Sequence, residues 1–208
     1  MNIKQTFALF LVITLMASSS LAFADALKLH PNGFGEKSKA SWKAKQGLPD
    51  NCGNGKQALL FEKNTTTATF AAGVAVVNGL EGKAVADLTG LSWESRDDGH
   101  CSGGAPRWDL FIKGASGTSY TVFLGCAGAS HSAGSAAGWT LDAYSSADIL
   151  NLVVAAGGAD AVNGTISGLI IVFDEGIDTG VGFVYLDNIS VEVNGEPTTF
   201  TSACDNGQ

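Results

Sequence analysis

The segment from Trp93 to Trp108 concentrates the polar residue types that catalytic and binding sites use. It contains Glu94 and Asp97, and Asp109 follows directly after it. Glycoside hydrolysis needs two carboxyl groups roughly 5 to 9 Å apart across a cleft, and Glu94 with Asp97 or Asp109 offers such a pair. The motif Glu-x-Asp-x-x-Glu, which puts catalytic carboxylates on one strand face, is absent from the sequence. Hydrolysis is therefore our alternative hypothesis and not the first one.

Serine and histidine form no recognisable catalytic motif. The sequence contains no Gly-x-Ser-x-Gly that would place a nucleophile between a strand and a helix. Ser130 and His131 are adjacent, but the fold must bring a catalytic pair to hydrogen-bond distance, and adjacency does not do that. We predict that His131 is a loop residue.

Sugar binding requires different residues, namely an exposed aromatic ring and planar polar side chains beside it. The candidate rings are Trp93, Trp108, Tyr120 and Trp139, and the candidate polar partners are Arg107 and Asp109. Strand alternation allows Trp93 to share a face with Arg107 or Asp109. Two structural alternatives stay open: burial of each tryptophan in the core, and an ion pair between Arg107 and Asp109 that fixes strand register.

The cysteines point to disulfides. Their number is even, no two have the Cys-x-x-Cys spacing, and the three histidines do not lie in pairs as zinc ligands would. Four cysteines allow three connectivities. We predict that Cys101 pairs with Cys126 and that Cys52 pairs with Cys204.

One acidic loop suggests a metal. Residues 174–180 contain three carboxylates, among them Asp174 and Asp178, between two predicted strands. Calcium prefers such oxygen ligands, but the EF-hand spacing is absent. A calcium site is one hypothesis for this loop, and a solvated acidic hairpin is the simpler one.

The elements that would position these residues are predicted to be strands. Twenty-seven glycines and 15% charged residues argue against a helical domain, because glycine costs roughly 1 kcal/mol relative to alanine in a helix. Short segments of period two lie between turn signals, which is typical of an antiparallel β-sandwich. The predicted strands are 57–63, 68–70, 74–77, 88–95, 107–113, 120–125, 138–144, 165–173, 183–186 and 189–193.

Two other segments are less regular. Residues 145–156 are predicted as a short connecting helix or strand, since Ser145 or Ser146 can cap a helical turn. Residues 25–55 are predicted as a loose, glycine-containing arm. Trp108 alternates with Leu110 and is predicted to point inward.

The first 24 residues have the three parts of an export signal. Lys4 precedes the apolar run 7–16, and small residues lead to Ala22-Phe23-Ala24. The run is too short to span a membrane, so we expect cleavage after Ala24 and an extracytoplasmic location, either secreted or periplasmic. Residues 25–208 are enough for one domain, with a core of about 27–204.

Charge excludes one class of partner. Without Lys4 the chain has 11 basic and 20 acidic residues. Nucleic-acid binding relies on clustered lysine and arginine on a basic surface, so we expect no nucleic-acid partner. Seven of the basic residues crowd residues 28–63, which we interpret as a solvated edge.

Two motifs resemble a known family. The closing run 185–189, Tyr-Leu-Asp-Asn-Ile, and the early run 55–61, Gly-Lys-Gln-Ala-Leu-Leu-Phe, are similar to the last and early strands of carbohydrate-binding-module-like jelly rolls of the galactose-binding type. The resemblance implies an all-β, antiparallel two-sheet jelly-roll β-sandwich. It also implies that Asp187 helps to hold a structural calcium ion, with Glu62 as a further ligand. The alternative is that Asp187 and Asn188 satisfy backbone groups at a strand end.

These observations lead to a functional expectation. The chain is expected to be a secreted, non-catalytic β-sandwich that binds a polysaccharide or another extracellular surface component. The alternatives are a secreted glycoside hydrolase that uses Glu94 and Asp109, and a structural or adhesive surface protein.

Overall fold

The computed structural model describes residues 26–49, 56–66, 69–101, 104–174 and 182–201. The predicted export signal lies outside these residues. So do Cys52, Asp178 and Cys204, together with Ala68 at the start of one predicted strand.

Within these residues the chain forms twelve strands and one α-helix. The strands are β1 Lys28–Phe34, β2 Lys39–Lys43, β3 Ala58–Lys63, β4 Ala72–Asn78, β5 Leu88–Arg96, β6 Arg107–Lys113, β7 Ser119–Gly125, β8 Ser130–Ala133, β9 Trp139–Ser145, β10 Thr165–Phe173, β11 Gly182–Val193 and β12 Glu196–Phe200. The helix α1 spans Ser146–Val162, between β9 and β10. The described helix is not long and apolar enough to cross a membrane.

The strands form two antiparallel sheets. One has five strands in the order β1-β4-β10-β6-β7, and the other has the order β2-β3-β11-β5-β9-β8 with β12 alongside β11. The chain crosses repeatedly from one sheet to the other, as in a jelly roll. The predicted two-sheet jelly-roll β-sandwich is confirmed.

The core lies between the inner faces of the two sheets. Trp93 from β5 and Trp108 from β6 meet there with ring centroids 5.3 Å apart, and both are fully buried. Leu110, Leu169 and Val184 contribute further buried side chains from both sheets. Burial of one such side chain stabilises the fold by roughly 1.5 to 3 kcal/mol. The prediction that Trp108 points inward is therefore confirmed.

The predicted amino-terminal arm is wrong for its first half. Residues 28–34 and 39–43 are the strands β1 and β2, each at the edge of a sheet. The strand β1 was not predicted because it contains Pro31 and Gly33, and both residue types are rare inside strands. An edge strand nevertheless tolerates proline. Three further differences concern the strands. The strands β8 and β12 were not predicted, and the two segments predicted around Asn188 are the single strand β11.

The helix is longer than predicted. Ser145 caps its amino terminus by accepting a hydrogen bond from the backbone N–H of Asp148. The backbone kinks at Gly158, where φ is 55°, a conformation that glycine adopts without steric cost. The part beyond the kink carries Asp160, which attaches the helix to the β6–β7 hairpin.

Candidate functional site

A groove runs over the outer face of the five-stranded sheet. Strand register places Val74, Val172 and Arg107 side by side on β4, β10 and β6. The next row joins Val76, Ile170, Asp109 and Phe123 on β4, β10, β6 and β7. The groove has a volume of about 510 Å³, and its lining includes Phe34, Phe70, Val74, Arg107, Ile170 and Asp174.

Exposed phenylalanines flank this apolar floor. Phe34 and Phe70 stand at the β1 side with 43% and 87% of their surface exposed, and their rings meet edge to face with centroids 4.6 Å apart. Phe123 stands at the β7 side with 59% exposed. Large apolar side chains are usually buried. Phe34 and Phe70 belong to the groove lining, whereas Phe123 lines a neighbouring cavity that shares Arg107 with the groove. The three exposed rings therefore make this face of the sheet a candidate binding surface.

A network of charges is built into the groove. The Arg107 guanidinium donates from Nε to Asp109 over 2.7 Å, and from its two terminal nitrogens to Asp174 over 2.6 and 2.7 Å. Lys63 also donates from Nζ to the Asp174 carbonyl oxygen. The guanidinium carbon lies 5.5 Å from the ring centroid of Phe123. These contacts hold the guanidinium and both carboxylates in fixed positions.

Electrostatics follow from this geometry. The hydrogen bond to Asp174 raises the pKa of Arg107 above its ordinary value. Burial raises the pKa of Asp109, and the neighbouring charge of Arg107 offsets part of that rise. An apolar floor, exposed rings and fixed polar groups together suit a ligand with both an apolar face and hydroxyl groups.

The predicted ligand-binding residues are divided between this groove and the rest of the molecule. Arg107 lines the groove, and the buried Asp109, on the same face of β6, forms with it the ion pair that the sequence left open. Trp93 is buried at 1% exposure, where it cannot present its ring to a ligand. Trp139 is buried at 9% and packs with Leu48 and Ala58 on the other sheet.

Tyr120 is also engaged elsewhere. Its hydroxyl donates to Asp160 of α1 over 2.8 Å, and its side chain points to the inner side of β7, away from the groove. The expectation that Trp93 and Arg107 share a face is corrected, since β5 and β6 belong to different sheets.

The residues that the sequence interpretation missed on this face are three phenylalanines: Phe34 and Phe70 in the groove and Phe123 beside it. Only tryptophan and tyrosine were considered as sugar-stacking rings. The signal for Phe123 is nevertheless present in β7, because Val122 and Leu124 alternate with it and are both buried. Two inward aliphatic residues force the residue between them outward.

The predicted hydrolytic pair does not assemble. Asp109 lies on the outer face of the five-stranded sheet, whereas Glu94 lies on the outer face of the other sheet, opposite Leu141. Glu94 accepts hydrogen bonds from Ser135 N–H and from Asn188 Nδ2. The sandwich core separates the two carboxylates, so they cannot act on one glycosidic bond.

The other carboxylate pairing, Glu94 with Asp97, is no better arranged. Asp97 follows β5 in a turn and accepts a hydrogen bond from the Thr140 hydroxyl over 2.9 Å. Glu94 is buried at 6% exposure under the segment that contains Ser135. A water molecule and a sugar ring have no evident access to both groups.

The predicted calcium ligands have separate partners. Asp187 is buried and accepts the backbone N–H of Leu48 over 2.7 Å. Glu62 lies 3.9 Å from Lys39, and Asp174 is occupied by Arg107. These three described residues do not form a common oxygen cage, and Asp178 lies outside the described residues.

Asp187 serves the backbone, which was the alternative interpretation of this residue. Besides Leu48, the next residue, Asn188, donates its own N–H to Asp187 over 2.8 Å. Asn188 has a φ of 45°, and this local hydrogen bond supports that unusual backbone angle. Within the described part of the chain, the one compact group of potential metal ligands is Cys101, Cys126 and Asp142.

Two members of that group are covalently joined. Cys101 and Cys126 form the predicted disulfide, with their Cα atoms 5.5 Å apart. The predicted bridge between Cys52 and Cys204 lies outside the described residues and stays a prediction.

The prediction that His131 is a loop residue is wrong. His131 lies in the edge strand β8. Its Nδ1 is 2.6 Å from the carboxylate of Asp142, which also accepts hydrogen bonds from Trp93 and Ser95. Asp142 has a fully buried side chain. The sequence did not indicate this pair, because His131 and Asp142 are brought together only by the pairing of β8 with β9.

Comparisons with known proteins give structural neighbours only. No family model matches the sequence, and no curated protein matches it. A family 11 carbohydrate-binding module from Clostridium thermocellum, solved in complex with a β-1,3-1,4-mixed-linked tetrasaccharide, has 13% identity and a TM-score of 0.44, covering 82% of this chain and 92% of the module. A family 30 carbohydrate-binding module of a cellulosomal cellulase from the same organism has 12% identity and a TM-score of 0.49, covering 82% and 95%.

A third neighbour is an enzyme. The β-1,2-glucanase from Parabacteroides distasonis has 14% identity and a TM-score of 0.39, covering 80% of this chain and 23% of the enzyme. The architecture of this chain is given by its own two sheets. The chain is a two-sheet β-sandwich, and the solved structures similar to it include carbohydrate-binding modules.

Proposed function

We propose that this chain is a secreted, non-catalytic protein that binds a glycan in the groove on the five-stranded sheet. The observation that carries the proposal is an apolar groove that has the exposed rings of Phe34 and Phe70 in its lining, with fixed polar groups beside them and the exposed ring of Phe123 beyond Arg107. Sugar rings stack their apolar faces on such side chains while their hydroxyls bond to planar polar groups.

The dimensions of the groove favour an oligosaccharide over a single sugar. Phe34 and Phe123 stand on the two edge strands of the five-stranded sheet, β1 and β7. Neighbouring strands are about 4.8 Å apart, so the two edges are separated by about 19 Å. Phe34 pairs with Ala72, four residues along β4 from Val76 in the row of Phe123, so a chain that meets both aromatic ends crosses the strands diagonally.

The charges favour a neutral glycan. Each nitrogen of the Arg107 guanidinium already donates to Asp109 or Asp174. A carboxylate or sulfate on the ligand would have to compete with these two anions for the same cation. A hydroxyl group can instead donate to the carboxylates while their ion pairs stay intact.

Secretion is supported by the export signal in residues 1–24 and by the disulfide between Cys101 and Cys126. Disulfides persist in oxidising extracytoplasmic compartments. Glu94 and Asp109 lie on opposite faces, which is why we prefer binding to hydrolysis.

A glycan array with matched variants tests this proposal. The wild-type chain is expected to retain neutral oligosaccharides, and Phe123→Ala together with Phe70→Ala is expected to abolish that retention. Phe183→Ala is the aromatic control, because Phe183 lies on the outer face of the other sheet. Retention that survives the double variant contradicts the proposal, and release of reducing sugar from the retained glycan would favour hydrolysis.

A further inference from the structure

Most of the basic residues lie in one segment near the amino terminus. Residues 28–63 contain seven lysines and three acidic residues, while the rest of the chain contains five basic and 17 acidic residues. The protein as a whole has a formal net charge of −8. An uneven distribution of charge along the chain becomes a surface feature only where the fold brings the basic residues together.

The fold gathers five of these lysines along one border, which we call the lysine edge: Lys37, Lys39, Lys43, Lys45 and Lys56. Its centre is β2, an edge strand of the larger sheet. Lys39 and Lys43 lie on the outer face of β2, opposite Glu62 and Ala58 of β3. The other three lie in the turns at the two ends of β2 and before β3.

Lys56 lies near the connection that follows β2. The N–H of Gly47, two residues after Lys45, donates to the carbonyl oxygen of Lys56 over 2.8 Å. Lys45 and Lys56 are both exposed. Among the described residues, the ion pairs of the lysine edge are limited to Lys37 with Glu36 and Lys39 with Glu62.

The backbone under these lysines is unusual. Lys37, Lys45 and Lys56 have φ values of 54°, 64° and 62°. This left-handed region is sterically unfavourable for long side chains and is normally taken by glycine or asparagine. The chain therefore keeps lysine at three positions where an uncharged residue would fit the backbone better.

Protection of an edge strand explains only part of this arrangement. Lysines on an edge strand prevent it from pairing with another chain, and Lys39 and Lys43 serve that purpose. Lys45 and Lys56 lie in the connection beyond β2, where they guard no exposed strand. Positive charge at strained turn positions points to a partner that the charge attracts.

We infer that the lysine edge binds an acidic polysaccharide, separately from the groove. A flexible anionic polymer suits a row of mobile ammonium groups that spans a strand and its flanking turns. Within β2, the outer-face residue between Lys39 and Lys43 is Ser41, whose hydroxyl suits a polar partner and not the interior of a lipid layer. The groove and the lysine edge would then attach the molecule to two components of one matrix.

The test is binding of polygalacturonate and of dextran sulfate as a function of salt concentration, measured by biolayer interferometry. The wild-type chain is expected to bind both, with affinity falling steeply as salt rises. The variant Lys37→Asn, Lys45→Asn, Lys56→Asn is expected to bind at least about tenfold more weakly at low salt. Its melting temperature is expected to equal or exceed that of the wild type, because asparagine accepts the left-handed backbone.

The matched control is Lys28→Asn, Lys83→Asn, Lys113→Asn, which removes the same charge outside the lysine edge. It is expected to keep most of the affinity. Equal losses in the two triple variants would overturn the inference, since net charge alone would then explain binding. Binding to anionic phosphatidylglycerol vesicles with no binding to either polysaccharide would overturn it as well. Groove variants leave this readout unchanged, so the two proposals fail independently.

Discussion

Asp142 is a buried carboxylate whose three hydrogen-bond partners come from two strands. Trp93 and Ser95 on β5 donate to one oxygen, and Nδ1 of His131 on β8 lies 2.6 Å from the other. Burying such a group is favourable only when its lone pairs are satisfied. The contact fixes the edge strand β8 over the core and holds the Trp93 ring against Trp108.

We expect Asp142→Asn to destabilise the fold by about 1 to 3 kcal/mol. The amide carries no charge and accepts at one end only, so the hydrogen bonds with Trp93, Ser95 and His131 are weakened. Urea unfolding followed by tryptophan fluorescence measures the change. Asp97→Asn, at an exposed turn, is the control and should shift stability by less than about 0.5 kcal/mol. An unchanged midpoint for Asp142→Asn would contradict this interpretation.

Single residues were the hardest features to predict from the sequence. Arg107 and Asp109 were identified because alternation along a strand puts residues i and i+2 on one face. Asp174 is far from both in sequence, and only the pairing of β10 with β6 brings it to Arg107. Trp93 and Trp139 were misjudged because alternation gives two faces without saying which one is buried.

Helix α1 and the β6–β7 hairpin are joined through Asp160. The carboxylate accepts the backbone N–H of Ser116 over 2.7 Å and the hydroxyl of Tyr120 over 2.8 Å. These hydrogen bonds, with the backbone one of Ser116 contributing most, lower the pKa of Asp160. Tyr120, predicted to bind a ligand, instead attaches the helix.

A lowered pKa has a definite consequence for acid stability. The unfolded chain takes up the Asp160 proton at a higher pH than the folded chain does, so the stabilisation is present above the unfolded pKa and is lost as the pH falls. We expect Asp160→Asn to lower the melting temperature at neutral pH and to flatten its decline between about pH 5 and pH 2. Glu196→Gln, an exposed change in β12, should keep the wild-type profile. A decline as steep in Asp160→Asn as in the wild type would refute the anchoring role.

The disulfide connects two segments that precede and follow the β6–β7 hairpin. Cys101 and Cys126 are separated by 25 residues, and closing such a loop restricts the unfolded chain. We expect Cys101→Ala with Cys126→Ala to lose about 3 kcal/mol of stability. Urea unfolding under non-reducing conditions measures the loss, and a difference below about 1 kcal/mol would contradict it.

The strands were predicted well where apolar and polar residues alternate regularly along the sequence, and poorly where they do not. The strands β5, β6 and β10 were anticipated within a residue because apolar residues alternate between glycine-rich turns. The edge strands β1, β2, β8 and β12 were missed because they expose much of their side-chain surface and carry polar residues. These strands form because their backbones pair with a neighbouring strand, and such pairing requires few particular residue types in the sequence.

The whole molecule presents two different outer surfaces. The five-stranded sheet exposes an apolar groove lined by Phe34 and Phe70, with Phe123 in the neighbouring cavity, and the larger sheet has its lysine edge at β2. The sandwich class follows from composition and turn spacing, as the sequence predicted. Which sheet carries a binding face does not follow, because strand order is set by pairings between segments far apart in the chain.

The central claim is that the outer face of the five-stranded sheet binds a neutral oligosaccharide. Methyl NMR of the chain, titrated with a glycan retained on the array, tests it directly. Methyl shifts are expected at Val74, Ile170 and Val172 on the groove floor, with Leu60 and Leu141 on the other sheet unchanged. Saturable shifts at Leu60 or Leu141, with the groove floor unaffected, would contradict the proposed site.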